Sequence, residues 1–102
     1  MFVASARADA SAGRLENAAA TMERAIRLEP RNARLWQELA RLRLKQKEFV
    51  QAENVALRSN ALTRGDSALR TENWHIIAQA REARGDAEGA RSARALAKRM
   101  TY

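Results

Sequence analysis

Apolar residues in this chain recur three and four positions apart, with polar and charged residues between them. Trp36 is followed by an apolar residue three positions on and by alanine four positions on, and Trp74 repeats the pattern. Strand signals are missing, because β-branched residues show no sustained alternation. Four glycines and one proline leave few helix breakers, and alanine, the best helix former, supplies much of the 46% hydrophobic content. The pattern predicts an all-α chain of helices joined by short turns.

The chain also repeats itself. The segment 12–18 recurs at 46–52 and again at 84–90. Trp36 and Trp74 are separated along the chain by the same interval as the last two of these segments. A period near 34 with tryptophan opening one helix, small residues within, Gly-Asp at a turn and proline at the end resembles the tetratricopeptide repeat.

The resemblance covers nearly the whole chain. The matching positions are Gly13, Ala18, Met22, Ala25 and Pro30 in the first repeat; Trp36, Leu39, Ala40, Phe49, Ala52 and Leu62 in the second; and Trp74, Ile77, Ala78, Gly85, Asp86, Ala90 and Ala97 in the third. Gly13 and Gly85 stand where a first helix ends, a place that favours a residue able to take a positive φ. Pro30 stops the second helix, because proline cannot donate the next backbone hydrogen bond.

The resemblance implies a single domain over 1–102, with three helix-turn-helix pairs in a right-handed superhelical stack. The repeats are expected at about 1–32, 33–66 and 71–102, and the six helices at about 2–12, 15–28, 33–46, 49–62, 68–84 and 87–100. The second repeat departs from the family pattern, with Lys47 for the turn glycine, Ala56 for a large apolar residue and Ser59 for a small one. Its tail has four additional residues, which predict a longer polar loop with Asp66 or Ser67 capping the fifth helix.

The charges lie along the whole chain. Nineteen lysines and arginines stand against 12 carboxylates, a formal net charge of +7. Carboxylates lie close to arginines in sequence, as in Glu23 with Arg27 and Glu38 with Arg41. Pairs at this spacing form local ion pairs on a solvated helix surface. The charge therefore indicates mainly exposed helix faces.

Catalytic chemistry has few candidates. The chain has no cysteine and one histidine, His75, so its residues offer no thiolate site, His-based metal cluster or histidine relay. The glycines of segment 85–89 fit a helix–helix turn and not a phosphate loop. We therefore predict a non-catalytic protein without a metal, a cofactor or a small-molecule substrate.

In tetratricopeptide repeats the first helix of each pair lines the concave wall of the stack. The resemblance places the partner-binding groove at Arg7, Arg34, Gln37, Arg41, Leu44, Lys45, His75 and Gln79, with Val3, Ala10 and Glu82 at further wall positions. This mixture of cations, amides and apolar area suits an extended or helical peptide of acidic or polar character. The middle helix over 34–45 is the most basic, so we expect it to carry the specificity. The lysine and asparagine set with which one subgroup of the family binds chaperone tails is missing.

The arginine- and alanine-rich segment 14–40 is similar to bacterial envelope members of the family, in particular the C-terminal domain of LpoP-type outer-membrane lipoproteins. That resemblance implies a protein partner, a class A penicillin-binding protein, which the domain would activate as a peptidoglycan synthase of the periplasm. It also implies that the full-length protein is anchored to the outer membrane through a lipidated cysteine outside this chain. No apolar run here approaches the roughly 20 residues that span a bilayer, and the segment 1–12 does not resemble a signal peptide. A cytoplasmic location stays open.

Three alternatives remain at this point. A generic repeat scaffold could serve another bacterial complex. A basic adaptor could bind a polyanion, nucleic acid being the less favoured form, and its residues would be Arg81, Arg84, Arg91, Arg94, Lys98 and Arg99. The chain could also self-associate, since a short stack leaves apolar faces at its ends unless they are capped; the last helix, with Ala90, Ala93, Ala97 and Met100, is the expected cap or dimer surface.

Overall fold

The computed structural model describes residues 2–11 and 13–100, with the side chains of 3–8 and 13–99. Six helices occur in these ranges: α1 (Phe2–Ser11), α2 (Leu15–Leu28), α3 (Ala33–Lys45), α4 (Phe49–Leu62), α5 (Ser67–Ala83) and α6 (Ala87–Met100). No strand occurs in the same ranges, and each helix bound lies within one residue of the predicted one. The all-α prediction is confirmed. None of the described helices has both the length and the apolar character that crossing a membrane requires.

Consecutive helices pack on one another throughout the stack. The helix pairs α1–α2, α3–α4 and α5–α6 each form a hairpin, and α2 and α4 join each hairpin to the next. The first helices also meet side by side, α1 with α3 and α3 with α5. They therefore form one wall of a molecule that measures 33 × 30 × 18 Å.

Alanine makes this close packing possible. Ala18, Ala40 and Ala52 have no exposed surface, and large side chains such as Met22 and Ile77 fill the spaces around the alanines. One apolar cluster lies among α1, α2 and α3, and a second lies among α3, α4, α5 and α6. Small residues lower the separation of helix axes, which compensates for the small number of aromatic side chains.

The turns inside the hairpins share one backbone conformation. Gly13 and Gly85 both have a φ of 83°, as their place in the repeat predicts. Lys47 occupies the same position in the second hairpin with a φ of 63°, in a region that disfavours residues with a Cβ. The second turn therefore keeps the family geometry with a residue that is less suited to it.

The four additional residues of the second repeat do not lengthen a loop, so that prediction is wrong. The connection between α4 and α5 covers 63–66, and the connection between α2 and α3 covers 29–32, the same length. Instead α5 has 17 residues and α3 has 13, a difference of about one helical turn. The turn forms because Asp66 caps α5, accepting a hydrogen bond from the Leu69 amide at 3.0 Å, and the Leu69 side chain is buried.

The ion pairs also differ from those expected along single helices. Glu23 accepts from Arg43 of the neighbouring α3 at 2.8 Å, and Glu53 of α4 accepts from Arg81 at 3.0 Å and Arg84 at 3.2 Å. Stacking places carboxylates and guanidinium groups of different helices opposite each other. The ion pairs therefore form between helices and not between residues three or four positions apart in one helix. These pairs therefore connect the repeats.

Candidate partner-binding groove

A groove lies between α3 and α5 on the wall formed by the first helices. Its cavity of about 460 Å³ is lined by Arg41, Leu44, Lys45, Glu72, His75, Ile76 and Gln79. Five of these residues belong to the predicted set: Arg41, Leu44, Lys45, His75 and Gln79. Sequence reasoning missed Glu72 and Ile76 as lining residues. Their signal was the helical spacing, since 72, 75, 76 and 79 share one face of α5.

The groove has a charged rim and an apolar floor. Ile76 is buried and Leu44 is half-buried, and both belong to the second apolar cluster or pack against it. Arg41 and Glu72 stand on opposite sides, with 3.8 Å between Arg41 Nη2 and Glu72 Oε1, and each side chain is nearly half exposed. An exposed pair at this distance contributes little to stability, so Arg41 can exchange Glu72 for another anion. Lys45 forms no ion pair with any described residue.

Arg7 lies further along the same wall and pairs with Glu38. The Arg7 guanidinium donates to the Glu38 carboxylate, which is 8% exposed, whereas the Arg7 side chain is 65% exposed. This hydrogen bond, and then the charge of Glu38, raises the pKa of Arg7 above its usual value. The interval along the chain between Arg7 and Glu38 equals that between Arg41 and Glu72. Each pair of neighbouring first helices is thus bridged by a cation from one and a carboxylate from the next, which reduces the positive charge of the wall.

Two predicted groove residues lie elsewhere. Gln37 is 1% exposed, and its Nε2 donates to the Leu69 carbonyl oxygen at 3.3 Å in the interior. The expectation that Gln37 contacts a partner is therefore corrected, because the additional turn of α5 covers it. Arg34 is exposed, but it lines a different cavity, at the start of α3, where the α2–α3 and α4–α5 connections meet.

The further wall positions are not part of the groove cavity either. Val3 packs against the first apolar cluster, and Glu82 accepts a hydrogen bond from Arg94 at 2.9 Å. The side chain of Ala10 lies outside the described part of the chain. His75 is exposed on α5, and within the described ranges no group of three or more His, Cys, Asp or Glu side chains is placed to hold a metal ion.

The residues expected to bind a polyanion and those expected to mediate self-association lie on α5 and α6 or next to α5. Arg81 and Arg84 pair with Glu53, and Arg94 pairs with Glu82, so at least half of the proposed polyanion set is already engaged. Ala90, Ala93 and Ala97 are each at most 1% exposed, because this face of α6 packs on α5. The expectation that these alanines form a self-association surface is corrected, and Met100 has a side chain outside the described part.

Three stacked helix hairpins with a groove along the first helices define a helical-repeat scaffold of the protein-binding class. The sequence model of the tetratricopeptide repeat matches residues 10–71, and the chain belongs to this family. Among solved structures, it is similar to the globular C-terminal domain of P. aeruginosa LpoP, with 42% sequence identity and a TM-score of 0.93. The similarity covers 95% of this chain and 92% of that domain. No curated protein matches the chain. The family and this neighbour support a protein-interaction domain on a fold of the non-catalytic scaffold type.

Proposed function

We propose that this chain is the partner-binding domain of a periplasmic activator of a class A penicillin-binding protein. The observation that carries the proposal is the 42% identity to the LpoP domain over 95% of the chain. Identity at this level over nearly the whole chain supports a shared fold and a related function. The proposed context is a full-length protein anchored to the outer membrane, with this domain facing the periplasm.

The groove between α3 and α5 supplies the proposed contact surface. Arg41 and Lys45 give it two exposed cations, while Ile76 and Leu44 form an apolar floor between them. Interfaces are stabilised most by an apolar centre with polar groups at the rim. A segment of the synthase with a carboxylate and an apolar side chain on one face would satisfy both parts.

The proposal is tested by a glycan-synthesis assay with the cognate synthase in detergent solution. The wild-type domain should bind the synthase and raise its rate. The double variant Arg41→Glu with Lys45→Glu should lose both effects, by roughly 10-fold or more in affinity, since opposite charges at a protein interface become like charges.

The matched control is the double variant Arg31→Glu with Arg64→Glu, which changes the net charge equally at residues outside the groove. It should bind and stimulate like the wild type. Absence of binding and stimulation by the wild-type domain would overturn the proposed activity. Full stimulation by the Arg41/Lys45 variant would show that the groove is not the contact surface.

A further inference from the structure

The two ends of the helix stack carry different charge. At one end α1, α3 and α5 begin and α2, α4 and α6 finish, because successive helices run in opposite directions. The connections 29–32 and 63–66 adjoin there, since both line one cavity of about 260 Å³. Residues 2–6, 27–34, 58–70 and 98–100 form this end, which we call the basic end.

The basic end holds nearly all of the net charge. It carries eight cations against the two carboxylates of Glu29 and Asp66, a net +6 of the chain's formal +7. The cations are Arg27, Arg31, Arg34, Arg58, Arg64, Arg70, Lys98 and Arg99. The opposite end, over 9–11, 13–17, 43–53 and 81–91, has seven cations and seven carboxylates. The excess is therefore a property of one end and not of the whole surface.

The arginines of the basic end form no ion pair with a described residue. None of its seven arginines pairs with a carboxylate in the part of the chain that the structure describes. At the opposite end Arg43, Arg81 and Arg84 all do. The two carboxylates of the basic end are engaged locally, Asp66 in capping α5 and Glu29 with the Asn32 amide at 3.3 Å. The positive field of this end is thus left for an external anion.

An exposed apolar side chain lies among the cations of the basic end. Leu28 is 69% exposed, the largest value among the exposed large hydrophobic residues of the described chain, and it stands between Arg27 and Arg31. Among the described side chains of this end no aromatic ring is presented for stacking with bases, because Trp36 is half-buried and the Arg58 guanidinium covers it at 5.6 Å. The cavity formed by the described residues of this end is lined mostly by polar residues, which does not suit the apolar anchor of a protein partner.

We propose that the basic end binds peripherally to an anionic lipid surface, with Leu28 entering the headgroup region. The cations come from both inter-hairpin connections, from the helix ends that flank them and from the end of α6, so they are spread in two dimensions over one end of the molecule. Such a distribution fits a layer of phospholipid headgroups, which attracts exposed lysines and arginines jointly. This inference is independent of the proposed activation of a synthase and uses a surface separate from the groove.

Vesicle flotation tests it with the purified domain. The domain should float with phosphatidylcholine vesicles that contain phosphatidylglycerol and not with vesicles of phosphatidylcholine alone. Binding should weaken by about 10-fold between ~50 and ~200 mM salt, because screening shortens the range of the field. Absence of binding to the anionic vesicles would overturn the proposal.

Matched variants then locate the surface. Arg31→Glu with Arg64→Glu should lower vesicle binding by at least about 10-fold, whereas Arg41→Glu with Lys45→Glu, an equal charge change in the groove, should retain most of it. Leu28→Ser should weaken binding about 3-fold with no change in charge. Equal losses in both double variants would show attraction by net charge alone and would overturn the proposal. Tighter binding to a soluble oligonucleotide than to the anionic vesicles would overturn it as well.

Discussion

The side-chain amide of Gln37 on α3 donates a hydrogen bond to Asn73 Oδ1 on α5 at 3.2 Å, and both residues are at most 1% exposed. Asn73 in turn donates from Nδ2 to Ser59 Oγ at 2.8 Å and to Asn60 Oδ1 at 2.9 Å. Ser59 completes the chain by donating to the Ala33 carbonyl oxygen at 2.8 Å. Three helices are therefore joined by a buried polar network.

The preceding junction is built from apolar residues. One repeat earlier, the positions equivalent to Ser59 and Asn60 hold Ala25 and Ile26, and the position equivalent to Asn73 holds Leu35, all of them buried. The equivalent interface is thus apolar between the first two hairpins and polar between the last two. In a buried polar junction each amide must meet its hydrogen-bond partner, which fixes how the helices pack on one another. An apolar junction tolerates repacking.

Replacement of Asn73 by leucine should destabilise the fold. Asn73→Leu removes one of the two acceptors of Gln37 Nε2 and the donor to Ser59 Oγ and Asn60 Oδ1, while the surrounding groups stay buried. Each unsatisfied buried group costs about 1–3 kcal/mol, so the free energy of unfolding should fall by about 2–4 kcal/mol in urea titrations. An unchanged midpoint would contradict the network.

Replacement of all four polar residues of the junction by apolar residues should restore the stability that Asn73→Leu loses. The variant with Gln37→Val, Ser59→Ala, Asn60→Ile and Asn73→Leu carries the residues of the equivalent positions in the first hairpins. Removal of all partners together leaves few unpaired polar groups, so its stability should lie within about 1 kcal/mol of the wild type or above it. Replacement of Asn60 should itself raise the stability, because the Asn60 Nδ2 atom is buried without a hydrogen-bond partner among the described residues. A stability as low as that of Asn73→Leu alone would contradict this account.

Loss of the Glu53 carboxylate should destabilise the fold more than loss of an exposed carboxylate such as Glu82. Its side chain is 14% exposed and accepts from two arginines, Arg81 of α5 and Arg84 just after it, so Glu53→Ala leaves Arg81 without its carboxylate. The expected loss is about 1.5–3 kcal/mol in urea titrations, the range for hydrogen bonds to charged groups. Glu82→Ala is the control, since Glu82 and Arg94 are 63% and 45% exposed, and it should cost less than about 1 kcal/mol. Equal costs would show that burial does not govern these pairs.

Lys47→Gly should stabilise the second hairpin turn. The φ of 63° at Lys47 is a conformation that glycine adopts without the steric cost of a Cβ. We expect a gain of about 0.5–1 kcal/mol in thermal or urea unfolding. Gly85→Ala, at the same turn position with a φ of 83°, should cost about 1 kcal/mol, and a loss of stability in Lys47→Gly would contradict the interpretation.

Gly89→Ala should destabilise α6, although glycine to alanine in a helix usually stabilises by about 1 kcal/mol. A Cβ at Gly89 would overlap the Asp86 carboxylate, which accepts from the Gly89 amide, and would lie 2.9 Å from Arg81 Cδ. The expected net loss is about 1–2 kcal/mol by urea unfolding. Ser92→Ala on the exposed face of α6 should change stability by less than about 0.5 kcal/mol. A gain in Gly89→Ala would show that Asp86 can move away without cost.

The candidate groove could be predicted from the sequence only in part. Wall positions on α3 and α5 follow from helical spacing, so Arg41, Leu44, Lys45, His75 and Gln79 were found together. Gln37 could not be excluded in this way. Its burial depends on a turn of α5 that is distant from it in the chain and lies over it in space.

The sequence by itself determined the helices, their hairpin turns and the packing alanines. These features depend on residues a few positions apart, such as Gly85 at its turn and Asp66 at its cap, and local backbone energetics decides them. The tertiary structure alone decided which charges meet and which remain exposed. Glu53 binds two arginines of the following hairpin, while the arginines of the basic end bind no carboxylate of the described chain, because charge pairing depends on how the helices stack.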